Sequence, residues 1–156
     1  MGDITFRSAT REDVGKVLYF IKKLAEYQKL GEEMIATEEL LCEWLFEKEK
    51  AEVIFCLYDG REVGFAVFYH NFSTMLGRCG IHLEDLYVEK EYRGKGCGKA
   101  LLRKLAAIAR ERNCGRLEWC CLDWNRRSVE FYLSLGARPM EGWTTYRLSG
   151  EALENL

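Results

Sequence analysis

Apolar positions along this chain change their period several times, and each change marks an element. Ile4 and Phe6 alternate with polar neighbours, which predicts a short first strand. Thr10-Arg11-Glu12-Asp13 reads as a helix start with Thr10 as cap. Val14, Val17, Leu18, Ile21, Leu24 and Ala25 then recur at helical spacing, and Gly31 closes that helix or lies just beyond it. Thr37 opens a second, shorter helix carrying Leu40, Leu41, Trp44 and Leu45. Residues 53–58 are β-branched and aromatic, Asp59-Gly60 is a hairpin turn signal, and 63–69 is the returning strand. A second turn over 73–77 leads to a strand over 81–88, a glycine-rich turn and a helix over 100–110. A strand over 117–122, a helix over 128–135 that Gly136 terminates, and a last strand over 143–148 complete the pattern. The order β-α-α-β-β-β-α-β-α-β, without repeat or linker, implies one α/β (α+β) domain over residues 1–156.

The turn between the fourth strand and third helix carries the first chemistry. In Arg93-Gly94-Lys95-Gly96-Cys97-Gly98-Lys99, glycines let backbone approach a ligand, and helix-start N–H groups face an anion. Arg93 and Lys95 add full charges. A P-loop needs Gly-Lys followed by Ser or Thr, and here Ala100 follows Lys99. A dinucleotide fingerprint needs a third glycine where Lys99 stands. Both ligand classes are disfavoured.

Arg93, Gly96 and Gly98 satisfy Arg/Gln-x-x-Gly-x-Gly/Ala, and Asn125, Ser128, Tyr132, Gly136 and Ala137 satisfy Asn-x-x-Ser/Ala-x-x-x-Tyr-x-x-x-Gly-Ala/Phe. With Leu83-Glu84-Asp85-Leu86-Tyr87-Val88, these segments resemble the Gcn5-related N-acetyltransferases. Within that superfamily the chain is similar to the diamine (spermidine/spermine) and thialysine acetyltransferase group, across nearly its whole length. Leu122-Asp123-Trp124-Asn125 is closer to the thialysine branch. The resemblance implies a mixed, mostly antiparallel sheet flanked by helices, acetyl-CoA as co-substrate, a small cationic amine as acceptor, and a homodimer. It places the donor on Leu86, Tyr87, Val88, Arg93, Gly94, Lys95, Gly96, Cys97, Gly98, Lys99, Asn125 and Tyr132. It places the amine beside Tyr27, Glu84 and Asp85. Two positions depart from the group: Met75 stands where relatives carry Trp, and Lys90 replaces a proline.

An alkyl ammonium, with a pKa of about 10.4, must lose a proton before its nitrogen attacks a thioester. By resemblance Glu84 is the base, through a water, or the ammonium anchor. Adjacent strand residues point to opposite faces, so Glu84 and Asp85 are not expected to form a dyad, and Asp85 supports either from the other side or from a local bulge. Tyr132 is implied as the acid that protonates the departing thiolate, and a main-chain N–H within 86–88 as the oxyanion donor. Asn125 contacts CoA, caps the helix after it, or does both. Glu26, Glu32 and Glu33 form either an acidic wall for a dication or a solvated helix end. His70 and His82 read as satisfied strand residues, and Trp119, Trp124, Phe131 and Trp143 as core or dimer contacts.

Composition narrows the alternatives. The 156 residues are 48% hydrophobic, enough for a core, and the net charge of −2 gives no support to a nucleic-acid partner. No long uncharged apolar run suggests a membrane span, and the first residues lack a secretory pattern. Seven cysteines without a Cys-x-x-Cys pair read mostly as buried thiols in a reducing cytoplasm; Cys79 and His82 have the spacing of a metal pair that Cys120-Cys121 could complete, but without a tight Cys pair at loop spacing no metal site is expected. Two competing functions are acetylation of protein lysines or N-termini, which needs an open peptide groove, and a non-catalytic acetyl-CoA sensor, which would dispense with Tyr132 and the strand carboxylates.

Overall fold

A computed structural model describes residues 2–156. It contains a first compact unit that ends at Cys120 and a second from Cys121 to Leu156.

The first unit is organised by a five-stranded sheet in the order β1-β2-β3-β4-β5. β1 (Ile4–Ser8), β2 (Glu52–Tyr58), β3 (Arg61–Ser73) and β4 (Arg78–Val88) form an antiparallel meander, and β5 (Leu117–Trp119) joins β4 in parallel. The mixed, mostly antiparallel sheet is the one expected. The β3–β4 hairpin is longer than the sequence pattern suggested, because Asn71, Phe72 and Ser73 keep their register with Gly80, Cys79 and Arg78.

Helices cover both faces. α1 (Val14–Tyr27) buries Val17, Phe20 and Leu24 against Val53, Phe55, Phe65, Val67 and Tyr87. Phe20 stacks on Phe65 with ring centroids 5.3 Å apart. Full burial of each such side chain contributes roughly 1.5–3 kcal/mol. Ahead of α1, the Asp13 carboxylate accepts a hydrogen bond from the Thr10 N–H at 2.8 Å, tying the expected cap region together. The alternate positions Ile54, Cys56, Ala66 and Phe68 turn to the opposite face. There α3 (Cys97–Glu111) lies across β2, β3 and β4, with Cys97, Leu101, Leu102, Leu105, Ile108 and Ala109 buried. α2 (Glu38–Leu41) begins at Thr37, whose side chain accepts from the Leu40 N–H, and continues as a π-helical turn over Cys42–Glu47.

The second unit holds α4 (Arg126–Ser134) and a short α5 (Gly150–Glu154) that the sequence pattern did not announce. The last expected strand, 143–148, is not formed, and β5 ends at Trp119 rather than at residue 122. Trp143 and Tyr146 are 82% and 91% exposed. Their β-propensity is local, and a strand needs a partner ladder that this stretch does not have. The core reading of Trp124 and Trp143 fails with it, since both are exposed, whereas Trp119 and Phe131 are half-buried. The cysteines also differ from expectation: only Cys56 and Cys97 are buried, and Cys79 and Cys120 are exposed. Burial of apolar neighbours decides this, and Cys79 and Cys120 lie at strand ends, where that cover thins.

Candidate active site

The glycine turn is built by the chain's own geometry. A 3-10 turn over Lys90–Tyr92 leads into Gly94 and Gly96, at φ 79° and 91°, a region costly for side chains. Gly96 caps α3, and the first backbone bond of the helix runs from the Ala100 N–H to the Gly96 carbonyl at 2.9 Å. The N–H groups of Cys97, Gly98 and Lys99 therefore have no acceptor within their helix. Gly98 has open space around it, with nothing within 4 Å of an added Cβ. Internal packing does not demand glycine there, and the open space leaves room for close approach by a ligand. Beside the turn, a groove of about 490 Å³ runs between Ile4 and Phe6 of β1 and Lys95, Lys99, Arg103 and Lys104. Open amides, a helix start and clustered cations suit a pyrophosphate-bearing ligand.

Arg93 behaves differently from the free phosphate charge that its position suggested. Its half-buried guanidinium lies over the rings of Tyr27 and Tyr87, 5.0 and 5.4 Å from their centroids. Its Nε donates to the Val88 carbonyl at 3.0 Å. Cys97 faces inward, and burial pushes its thiol and that of Cys56 up, the latter to about 12, so neither is a ready nucleophile.

The two carboxylates are arranged by a β-bulge. Val67 stands opposite Asp85 and Phe68 opposite Leu83, leaving Glu84 as an extra residue in β4. The bulge cancels one step of the alternation. Asp85 and His82 now oppose Val67 and Tyr69, two positions that share a face of β3. A Glu84 oxygen lies 3.9 Å from His82 Nε2. Of the two placements open to Asp85, the other side or a local bulge, the bulge is the one formed, because an inserted residue resets the strand's period. Burial raises the Asp85 carboxyl from the usual range to about 6, and the charge of Glu84 adds to the rise. Glu84 itself is exposed, and the His82 ring packs on Tyr69 with centroids 5.0 Å apart.

Beyond the bulge, β4 runs on without β5, since the parallel ladder stops at Leu83 opposite Trp119. The Glu89 N–H bonds the Val63 carbonyl at 2.8 Å, which fixes the phase of the antiparallel ladder. Main-chain groups of Tyr87 and Asp85 then point into β3, and those of Leu86 and Val88 point to the open edge. Of the three residues expected to supply an oxyanion donor, Leu86 and Val88 have suitable N–H directions and Tyr87 does not. Gly64 permits this edge to sit where it does: a Cβ there would meet the Tyr87 carbonyl oxygen at 2.5 Å.

In the second unit, the Asn125 side chain is the cap of α4, its Oδ1 accepting from the Ser128 N–H at 3.3 Å. Tyr132 is half-buried about two turns on, its ring 5.5 Å from that of Phe131. Tyr27 is the half-buried last residue of α1, whereas Glu26, Glu32 and Glu33 are exposed around the helix end, and Met75 is exposed in the β3–β4 turn. Sequence reasoning allowed a local bulge at Asp85 without locating it, read His82 only as a satisfied strand residue, and missed Tyr69. The signal that could have found them was an unusual Glu-Asp pair inside an apolar strand. Among the described residues, no group of three or more His, Cys, Asp or Glu side chains could hold a metal ion, and no helix is long and apolar enough to cross a membrane.

A glycine-turn helix start, a strand edge that β5 leaves unpaired beyond Leu83 and a raised carboxyl are features that suit acyl transfer. Residues 18–137 match the Acetyltransferase (GNAT) family. Thialysine N-epsilon-acetyltransferase of Sus scrofa is 36% identical, covering 100% of this chain and 98% of its own. Spermidine/spermine N(1)-acetyltransferase-like protein 1 of Homo sapiens is 29% identical, over 96% of this chain and 23% of its own. Among solved structures, an integron cassette protein from V.cholerae superposes with a TM-score of 0.80 at 28% identity, covering 97% of this chain and 96% of that one. This chain belongs to the Acetyltransferase (GNAT) family and is an N-acetyltransferase.

Proposed function

We propose that the chain transfers the acetyl group of acetyl-CoA directly onto a primary amine of a small cationic substrate of the thialysine, lysine or polyamine type. The observation that carries this reading is the bulge that inserts Glu84 beside Asp85 and sets Asp85 on the face of His82, where burial and the neighbouring charge of Glu84 raise the Asp85 carboxyl to about 6. A carboxyl poised just below neutral is well matched to accepting a proton from an ammonium group at physiological pH. The names of the relatives supply the amine class: one acts on thialysine, and another is like a spermidine/spermine acetyltransferase.

In this reading the helix-start amides of Cys97, Gly98 and Lys99, with Lys95 and the turn glycines, hold the pyrophosphate of the donor. Exposed Glu84 meets the ammonium and serves as base through water, and the raised proton affinity of Asp85 supports its sharing that task. Tyr27 flanks the amine. The N–H groups of Leu86 and Val88 are the candidates to hold the carbonyl oxygen as it gains charge. Tyr132 gives a proton to the leaving thiolate, whose conjugate acid has a pKa near 8.5. Asn125 keeps α4 in place through its cap. The family match spans residues 18–137 and so crosses the boundary between the two units, which supports one acetyltransferase domain over 1–156. We read the enzyme as a cytoplasmic homodimer, a state that light scattering tests directly.

An acetyl-CoA-dependent screen of thialysine, lysine, ornithine, spermidine, putrescine and a lysine-bearing peptide tests the assignment. Turnover is expected on the free amines and at least about tenfold slower on the peptide, as a substrate lacking complementary contacts loses transition-state binding. Turnover on the peptide alone would overturn the small-amine reading.

A further inference from the structure

We propose that Arg93 is a positioning residue for the acceptor amine, clasping the end of α1 to the end of β4, in addition to any charge it offers the donor. The inference rests on the acetyltransfer reading above. Three contacts carry it. The Nε donates to the Val88 carbonyl at 3.0 Å, the guanidinium covers Tyr87 at 5.4 Å, and it covers Tyr27 at 5.0 Å. Val88 and Tyr87 end the strand that carries Glu84 and Asp85, and Tyr27 is the last residue of α1. One planar cation therefore joins the carboxylate-bearing strand, the helix end and the phosphate turn in which it stands. A guanidinium suits this task because it is planar, stacks on aromatic faces and keeps a directional N–H for the carbonyl.

The segment after α1 depends on this clasp. The chain leaves the helix through Lys29, at φ 62°, and through bonds from the Leu30 N–H to the Ala25 carbonyl and from the Lys29 N–H to the Glu26 carbonyl. The stretch 31–33, with Glu32 and Glu33, is a single exposed 3-10 turn with no buried residue. Arg93 over Tyr27 is a side-chain tie at the base of that stretch. Loss of the tie loosens the wall beside Tyr27 without touching Glu84, Asp85 or Tyr132. The expected signature is a rise in the amine KM at saturating donor with kcat largely kept, which marks lost binding common to ground and transition states.

The test uses Arg93→Gln, Arg93→Lys and Tyr27→Leu in the full chain. Three readings are taken: amine KM at saturating acetyl-CoA, acetyl-CoA Kd by calorimetry without amine, and amide hydrogen exchange over residues 24–33. Arg93→Gln should raise the amine KM about fivefold and speed exchange over 24–33, the scale expected for a partly desolvated cation–aromatic contact. Tyr27→Leu should reproduce both effects while leaving the acetyl-CoA Kd unchanged. Arg93→Lys should keep the donor Kd near the wild-type value and still raise the amine KM, because an ammonium restores charge without the planar fork. A weakened donor Kd with unchanged amine KM and unchanged exchange would overturn the proposal and leave Arg93 as a phosphate charge. Exchange is read without turnover, so a chain that acetylates none of the amines offered would fail the functional reading and still report on the clasp.

Discussion

Up to Cys120 the chain fixes its functional groups with a buried core; from Cys121 on it does so with local caps. The largest fully buried side chains, among them Phe20, Phe55, Phe65 and Phe68, all belong to the first unit. In the second unit Asn125 is the one buried residue among those described, and it is polar. Glu84 and Asp85 are held by strand register, which many packed residues share. Tyr132 stands on a helix of nine residues whose start is capped by a bond from the Ser128 N–H to the Asn125 side chain. Precision in the first unit is collective and tolerant of surface change, whereas in the second it rests on a few hydrogen bonds, each worth about 1 kcal/mol.

The largest expected effect falls on the core. Phe65→Ala should cost about 3–5 kcal/mol in urea denaturation, because Phe65 is fully buried and stacks on Phe20. A loss below about 1 kcal/mol would mean that the sheet does not anchor α1 as described. Next comes Tyr132→Phe, with kcat reduced about 100-fold and acetyl-CoA affinity kept, as expected for removal of a general acid. Unchanged turnover would remove Tyr132 from the acid role and with it the claim that a capped helix suffices to place a reacting group.

Asp85 gives an effect of intermediate size with a defined pH dependence. Its folded carboxyl titrates near 6 rather than at its ordinary value of 3.8, so the folded chain binds this proton more tightly than the unfolded chain. The stabilisation is fully present below pH 3.8 and is lost as pH rises through 6. At pH 7 the charged, half-buried carboxylate is a liability, and Asp85→Asn should raise Tm by roughly 2–4 °C there and by little at pH 4. The same substitution should displace the acid limb of kcat/KM for the amine; a limb that stays near pH 6 would assign the titration to another group. The smallest effect is Trp143→Ser, expected to change stability by no more than about 0.5 kcal/mol because the ring is exposed. A larger loss, in a preparation of known oligomeric state, would show that a partner surface covers it.

Much of the first unit was legible because its strands and helices are amphipathic. Val14, Val17, Ile21 and Leu24 have one period, and 53–58 and 63–69 have another. The glycine turn was legible because positive φ leaves a residue-type signature at Gly94 and Gly96. The bulge was legible only as one of two alternatives for Asp85, since the sequence does not locate it, and only pairing with Val67 and Phe68 shows the extra residue. The stretch 143–148 failed for the opposite reason: Trp143, Thr144, Thr145 and Tyr146 carry strand propensity, but propensity does not supply a neighbour. α5 is five residues long, too short for a periodic signal.

Gly64 has a consequence for anyone re-engineering this enzyme toward a new amine. It makes one wall of the site rigid and leaves the other adjustable. The edge carrying Leu86 and Val88 is clamped from the neighbouring strand, where any side chain would collide with the Tyr87 carbonyl oxygen. Variation aimed at residue 64 would disturb reaction geometry before it altered choice of substrate. The bulge face, with exposed Glu84 and half-buried His82 and Tyr69, accepts changes of charge and size without moving that edge. A library directed at Tyr69 and His82, beside the bulge, would test whether this face governs acceptor preference.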